Sequence, residues 1–276
     1  MELTGYLDFW FTDLPIVERV ARFADLGIRR LDVWLWRERP MADIYVECRR
    51  HGCTINSTFD PRPGNLVDAA DHGRCLEAWT ESLEMAERFD IPHLFIFSNQ
   101  VEVRPNGEEW VAPLSRDYTD GQKYANLLEG LEKVLALAEE TDVVLWFEAL
   151  NTFHIHGGVF IHTLDQAADV VRRLDHPQLR LAFDCYHQQR TAGNLIYGLE
   201  AYRGLYPTVH IADVPTRQEP GTGEINYHNI ARKLRELAFD GLVGMEFAPS
   251  TAEEEALARV REIFELAPYA SAGGRQ

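Results

Sequence analysis

The chain alternates between short apolar runs and longer segments whose apolar residues recur at helical spacing. Gly5–Trp10 (GYLDFW) reads as a first strand. Pro15 then suits the first turn of a helix in which Ile16, Val17, Val20, Phe23 and Ala24 share one face. Gly27 supplies a left-handed stop, and IRRLDVW follows as a second strand. The same device recurs: a helix over 40–51 stops at Gly52 before CTINST, one over 74–89 gives way at Asp90 to IPHLFIF, and one over 117–141 leads into VVLWFEAL. Helices at 163–173, within 193–203 and over IARKLRELAF precede LRLAFD, TVHIAD and LVGMEF in turn, and residues 252–266 make the last helix.

Eight strand candidates, each followed by a helix candidate and never by another strand, predict a parallel sheet. Eight such units in a chain of 276 residues predict closure into a single α/β domain, a (β/α)8 TIM barrel, over residues 1–268, with 269–276 as a flexible tail. The strands read as near-continuous apolar runs, as parallel strands covered on both faces should. An open doubly wound sheet is the competing architecture, but it usually carries a Gly-rich phosphate turn after its first strand, and none is present. Two long segments, 57–73 and 98–116, follow the third and fourth strands, where barrel loops commonly cover substrate.

Composition narrows the function classes. The chain is 46% hydrophobic, enough for a large core, and no window approaches a membrane span. The start has no basic segment followed by an apolar one, so no secretory signal is read there and a cytoplasmic location is expected. Cys48, Cys53, Cys75 and Cys185 form no C-x-x-C pair and are expected reduced and buried. A net charge of −17 makes the cationic face of a duplex-binding protein hard to build, so nucleic acid is not an expected partner, and neither is a membrane. The sequence leaves a homo-oligomer open.

Four apolar runs in the second half each end at a residue that can hold a metal: Glu148, Asp184, His210 and Glu246. Each has an ordinary explanation alone, since a strand-ending glutamate can cap a helix and a histidine among valines is commonly a core residue. Together, at the carboxyl ends of consecutive parallel strands, they converge on one rim of a closed barrel. Three buried anions beside one imidazole would cost on the order of several kcal/mol, which a cation offsets. Three carboxylates and an imidazole suit Mn²⁺, Mg²⁺ or Co²⁺ and lack the thiolates of structural zinc.

The residues around these four carry a resemblance. FEALNT around Glu148, DCYHQQ from Asp184, HIADVPTRQEPGTGEINY from His210 and GMEFAP around Glu246 resemble the hydroxypyruvate isomerase family of the xylose isomerase-like barrels, which also hold the ketose 3-epimerases. The likeness is strong over residues 143–250 and architectural before that, apart from FTDLP near the start. It implies isomerisation between 2-oxo-3-hydroxy and 2-hydroxy-3-oxo forms of a small sugar or hydroxy-oxo acid, through an enediolate. It also implies that Glu148 and Glu246 are the acid/base pair and, with Asp184 and His210, the metal ligands, and that His187 and Arg217 contact substrate oxygens. Such chemistry needs a carboxylate to move a proton and a cation to stabilise developing negative charge. A ketose 3-epimerase on the same metal site is the first alternative; a polyol or inosose-type dehydratase, an abasic-site endonuclease and a non-catalytic sugar-binding barrel are the others.

Three departures bear on substrate. The third ligand position, usually glutamine in the family, is His210, as in the ketose 3-epimerases. Phe153 stands where the family has a basic residue, in a loop reading FHIHGG, and DPRPGNLVDAADHG replaces a Gly-Glu-Arg-Gly loop. Arg37, Arg62, Arg104 and His154 are candidates to supply the missing charge. Part of the set Trp10, Trp34, Trp36, Phe59 and Trp110 is expected on the pocket's apolar wall. Glu219 and Glu224 of EPGTGE are read as ties between a long loop and the barrel rim, and Cys185 as pointing into the helix layer on an extended chain.

Overall fold

A computed structural model describes residues 1–60, 62–103, 109–153 and 155–266. In chain order the strands are β1 (Glu2–Tyr6), β2 (Arg30–Asp32), β3 (Thr54–Thr58), β4 (His93–Ile96), β5 (Val101–Val103), β6 (Glu109–Val111), β7 (Val144–Glu148), β8 (Leu179–Asp184), β9 (Thr208–Ile211) and β10 (Leu242–Met245). All but β5 and β6 are parallel and close into a barrel in the order β1-β10-β9-β8-β7-β4-β3-β2. The helices are α1 (Arg19–Asp25), α2 (Met41–His51), α3 (His72–Arg88), α4 (Asp120–Ala138), α5 (Leu164–Leu174), α6 (Cys185–Thr191), α7 (Leu195–Ala201), α8 (Tyr227–Glu236) and α9 (Glu253–Phe264). The predicted TIM barrel is therefore the observed fold. The tail read at 269–276 lies outside the described residues.

Strand alternation explains how the barrel fills. Leu145 and Phe147, Leu181 and Phe183, Val209 and Ile211, and Val243 and Met245 belong to one core with helix residues such as Leu131, Val171 and Ile230. Their alternates face the barrel interior, where Trp146 and Ala182 join Phe59, Phe95 and Phe97 in a second cluster. Two residues beyond Trp146 is Glu148, and two beyond Ala182 is Asp184, so both carboxylates share the interior face. Gly244 occupies an interior position for a steric reason, since a Cβ there would lie 2.7 Å from His210 Cδ2. Two helices start on reciprocal capping boxes, Thr119 with Gln122 and Thr163 with Gln166, which satisfy backbone donors at their N-termini.

The structure corrects the sequence reading in four places. The first strand is Glu2–Tyr6 and not Gly5–Trp10; beyond Tyr6 the chain turns, with Phe9 and Trp10 N–H both directed at the Tyr6 carbonyl. The aromatic run looked like a strand because Trp10 is wholly buried, but it is buried against Phe23 and Phe247. Strict alternation fails after β4, where β5 and β6 pair as an antiparallel hairpin. A helix absent from the prediction, α6, starts directly after β8, so Cys185 opens a helix where an extended residue was expected. Its thiol is nonetheless buried in the barrel–helix core, and all four cysteines are free and buried. Finally, α1 begins at Arg19, with Pro15 in a preceding turn whose carbonyl accepts from Glu18 N–H.

The long loop after β9 is pinned to the rim by Glu219, which is fully buried and accepts from Ser250 N–H at 2.8 Å and Ser250 Oγ at 2.7 Å. Burial works against this carboxylate's charge, yet the Ser250 bonds hold it below the usual range. Glu224 lies on the surface, with Gln189 at 3.3 Å. We therefore expect Glu219→Ala to destabilise the protein by about 1–3 kcal/mol, the cost of leaving a buried donor unpaired. Glu224→Ala should stay within about 0.5 kcal/mol of the parent. Chemical denaturation of both variants checks this, and equal effects would deny Glu219 the anchoring role.

Candidate metal centre and active site

Glu148 ends β7, Asp184 ends β8, His210 lies in β9 and Glu246 follows β10 directly. Asp184 and Gly244 are both register partners of His210, which places the ligands of neighbouring strands side by side. One donor atom from each of the four residues can be chosen so that all lie within 4.8 Å of one another, and all four residues are buried. Two oxygens on opposite sides of an octahedral ion sit about 4.2 Å apart, so small side-chain shifts would complete a shell. Glu148 Oε1 is buried without a hydrogen-bond partner, its nearest cationic-type neighbour, His187 Nε2, standing off at 3.9 Å. The residues therefore fit a divalent cation.

Electrostatics points the same way. Burial, then repulsion from Glu246 and Asp184, pushes the Glu148 carboxyl well above its usual range. Burial and Glu246 raise Asp184 to about 6. For His210, burial alone would favour the neutral ring, but the hydrogen bond to Glu246, at 2.8 Å, and the surrounding carboxylates outweigh it and raise the value. The ring is fixed from the sides by Tyr6, Phe95 and Trp146, with centroid separations of 5.8, 5.2 and 6.4 Å. Beneath it in the barrel, Asp32 is held by Thr4, by Asn56 Nδ2 at 2.6 Å and by Ser57 Oγ at 2.5 Å. Asp184 has two duties: Oδ1 caps α6 by accepting from His187 N–H at 2.6 Å, while Oδ2 faces His210 at 4.0 Å.

A cavity opens onto two of these ligands. Glu148, Glu246, His187 and Arg217 all line it, as do Trp34, Phe59, Phe95, Phe97 and Leu150. Burial, with Arg217 nearby, keeps His187 well below the usual histidine value, hence neutral. Its Nδ1 accepts from Asn151 N–H at 3.3 Å, so the proton resides on Nε2, which faces Glu148 Oε1 at 3.9 Å. Arg217 donates to Glu246 at 2.5 Å and to Glu109 at 3.3 Å. Its guanidinium also lies within 5.2–5.6 Å of the Phe9, Trp34 and Tyr186 rings. Although burial opposes its charge, Glu246 and Glu109 raise its pKa further.

Other expected members are placed elsewhere. Arg37 is tied to Asp60 and Glu81, and Arg62 is exposed, so neither faces the ligands as a free cation; Arg104 and His154 lie outside the described residues. Phe153 is 70% exposed. Of the aromatic set, Trp34 and Phe59 reach the cavity, Trp10 is core, Trp36 stacks under Arg37, and Trp110 lies in β6. The sequence reading missed Tyr6, Glu109 and His156, which also line the cavity. Glu109, at the start of β6, and His156, in the loop after β7, meet through a carboxylate oxygen and Nε2. The only hint in the sequence was the second histidine of FHIHGG.

The barrel and its ligand-lined rim belong to a known class of protein: the chain is a member of the xylose isomerase-like TIM barrel family, whose model matches residues 20–265. A Drosophila melanogaster protein provisionally named hydroxypyruvate isomerase is 32% identical, the alignment covering 95% of this chain and 98% of that one. A 2-oxo-tetronate isomerase from Pectobacterium atrosepticum is 26% identical over 91% and 93% of the two chains. In fold, the chain matches a solved structure described as an AP endonuclease, family 2, from Brucella melitensis, with a TM-score of 0.82, 22% identity and coverage of 95% and 98%. Within its class the chain is a divergent member of the hydroxypyruvate isomerase family, and it is an isomerase. No helix among the described residues is long and apolar enough to cross a membrane.

The raised carboxylates make a prediction with a definite sign. Asp184 shifts from 3.8 to about 6, so between these values the folded chain binds more protons than the unfolded one. The ion-free protein should lose stability as pH rises through that window. Cation binding displaces those protons and should strengthen over the same window. Calorimetric titration with Mn²⁺ should give about tenfold or more tighter binding at pH 7.5 than at pH 5, with proton release that differs between buffers. Affinity independent of pH would mean that the ion binds elsewhere.

Proposed function

We propose that this isomerase moves a carbonyl group between neighbouring carbons of a small polyhydroxy carbonyl compound through an enediolate, with Glu148 and Glu246 as its acid/base pair. The observation that carries the reading is that both glutamates line one cavity and also belong to the cluster suited to a divalent cation. Mn²⁺, Mg²⁺ or Co²⁺ fits the donor set of Glu148, Asp184, His210 and Glu246. The chemistry such an ion supplies is polarisation of the carbonyl and stabilisation of negative charge on adjacent oxygens, together worth on the order of several kcal/mol.

The chain's own residues divide the remaining work. Glu148 has a free oxygen and a raised proton affinity, which suits it to take a proton from carbon and to hold it. Glu246 is oriented by Arg217 and His210, leaving its carboxylate fixed relative to the substrate. His187 directs its Nε2 proton into the cavity as a neutral donor to a substrate oxygen. The aromatic wall excludes water from the deprotonated carbon. Relatives named for hydroxypyruvate and 2-oxo-tetronate favour short 2-oxo-3-hydroxy substrates.

His210 favours a second reading, inversion at C3 of a ketose, because the resemblance places histidine at this ligand in the 3-epimerases. The two readings share proton removal and differ in the carbon that receives the proton. Incubation with short ketoses and 2-oxo-3-hydroxy acids in D₂O with Mn²⁺, followed by NMR, should show carbonyl migration with deuterium incorporated. Inversion at C3 without migration would replace the first reading by the second. Glu148→Gln and Glu246→Gln should each lower kcat by about 10²-fold to 10⁴-fold or more while leaving the circular dichroism spectrum unchanged. Turnover at the parental rate in either variant would remove that residue from the pair.

A further inference from the structure

His156 lies in the loop after β7, and Glu109 opens β6 of the hairpin that follows β4. The two meet at the cavity through His156 Nε2 and a Glu109 carboxylate oxygen. His156 is 3% exposed, and its other ring nitrogen, Nδ1, is buried without a partner. Its backbone adopts φ 54°, an unfavourable left-handed conformation for a residue with a side chain, so its surroundings must hold it there. The loop that carries it is stitched to the segment after β4: Asn99 Oδ1 accepts from Phe160 N–H at 2.8 Å and Ser98 Oγ from Ile161 N–H at 3.0 Å.

We propose that His156, held by Glu109, is a specificity-determining residue whose Nδ1 takes an uncharged hydroxyl end group of the substrate, so that the substrate is a neutral polyhydroxy ketone and not an acid. This rests on the enediolate reading of the site. Burial opposes charge on Glu109, but the bond to His156 lowers its carboxyl to about 2, which keeps a proton on Nε2. The orphan Nδ1 then accepts if the ring is neutral and donates if it is charged, and a hydroxyl can satisfy it either way. A carboxylate could pair only with the charged ring and would stand beside Glu109. The one arginine among the described cavity-lining residues, Arg217, is shared by Glu109 and Glu246. Among the described residues of the wall, Val101, Val103 and Phe97 add no cation. The His156 ring centroid is 5.3 Å from that of His187, which itself faces Glu148, so the contact lies a short carbon chain from the reacting pair.

The test compares erythrulose with 2-oxo-tetronate, four-carbon ketones that differ in ending on CH₂OH or on a carboxylate. Deuterium exchange at C3 with Mn²⁺ present reports enediolate formation for both. The parent should prefer erythrulose in kcat/KM by about tenfold or more. His156→Phe should lower that value by about tenfold to a hundredfold, chiefly through KM, with little change for the acid. Glu109→Gln should move the preference towards the acid, an effect that general loosening of the loops would not produce. His156→Asn, which tolerates the left-handed backbone, should retain more of the preference than His156→Phe. A parent that prefers the acid, or variants that lower both substrates equally, would overturn the proposal while leaving the enediolate reading intact. If neither compound exchanges, that reading fails, and calorimetry with erythritol and erythronate decides this one. Tighter erythritol binding that His156→Phe and Glu109→Gln weaken supports it; equal binding of both probes by parent and variants overturns it.

Discussion

Everything at the rim of this barrel depends on holding several carboxylates together out of water. Glu148, Asp184 and Glu246 are each at most 5% exposed and repel one another. The chain meets that repulsion with a small number of cationic or polarisable groups. His210 faces Glu246 and Asp184, Arg217 spans Glu246 and Glu109, and α6 presents the His187 N–H of its first turn to Asp184. None of these is a surface pair that salt would screen, and each partner fixes the direction of a carboxylate as well as its charge. The direction of each carboxylate is thereby set by the chain's own contacts.

The same charges explain the loops. Arg217 is reached by Glu109 from the hairpin after β4, and Glu109 in turn binds His156 from the loop after β7. Three segments far apart in sequence are therefore linked through Glu109 and Arg217, and the arginine is also surrounded by Phe9, Trp34 and Tyr186. Glu219 performs a comparable service in the loop after β9, where it is tied to Ser250. Acidic residues that look alike in the sequence thus have separate physical tasks.

Much of this was legible in the sequence. Glu148 and Asp184 stood out because an apolar run covered on both faces can end in a carboxylate only at its rim, and Glu246 and His210 followed the same rule. The barrel itself was legible because helix and strand periods alternate. The hairpin was not, since its strands are three residues each and carry a pattern too short to read. Helix α6 was missed because DCYHQQRT has no apolar periodicity; its start is set by the Asp184 cap. Trp10 misled because a buried aromatic in a turn looks like one in a strand. The Glu109–His156 pair depends on two segments meeting in space, which no local pattern encodes.

Asp184 offers one oxygen to the backbone of α6 and keeps the other for the ligand cluster. That division depends on side-chain length. A glutamate at this place would carry its carboxylate one bond further from the chain and could not serve both partners at once, whereas Glu148 and Glu246 have no helix to start. The carboxylate that would bind the cation is thus mechanically joined to the first turn that carries His187. Changing the reach of one side chain by a single methylene would put the ligand cluster and the helical turn that carries His187 out of step with each other.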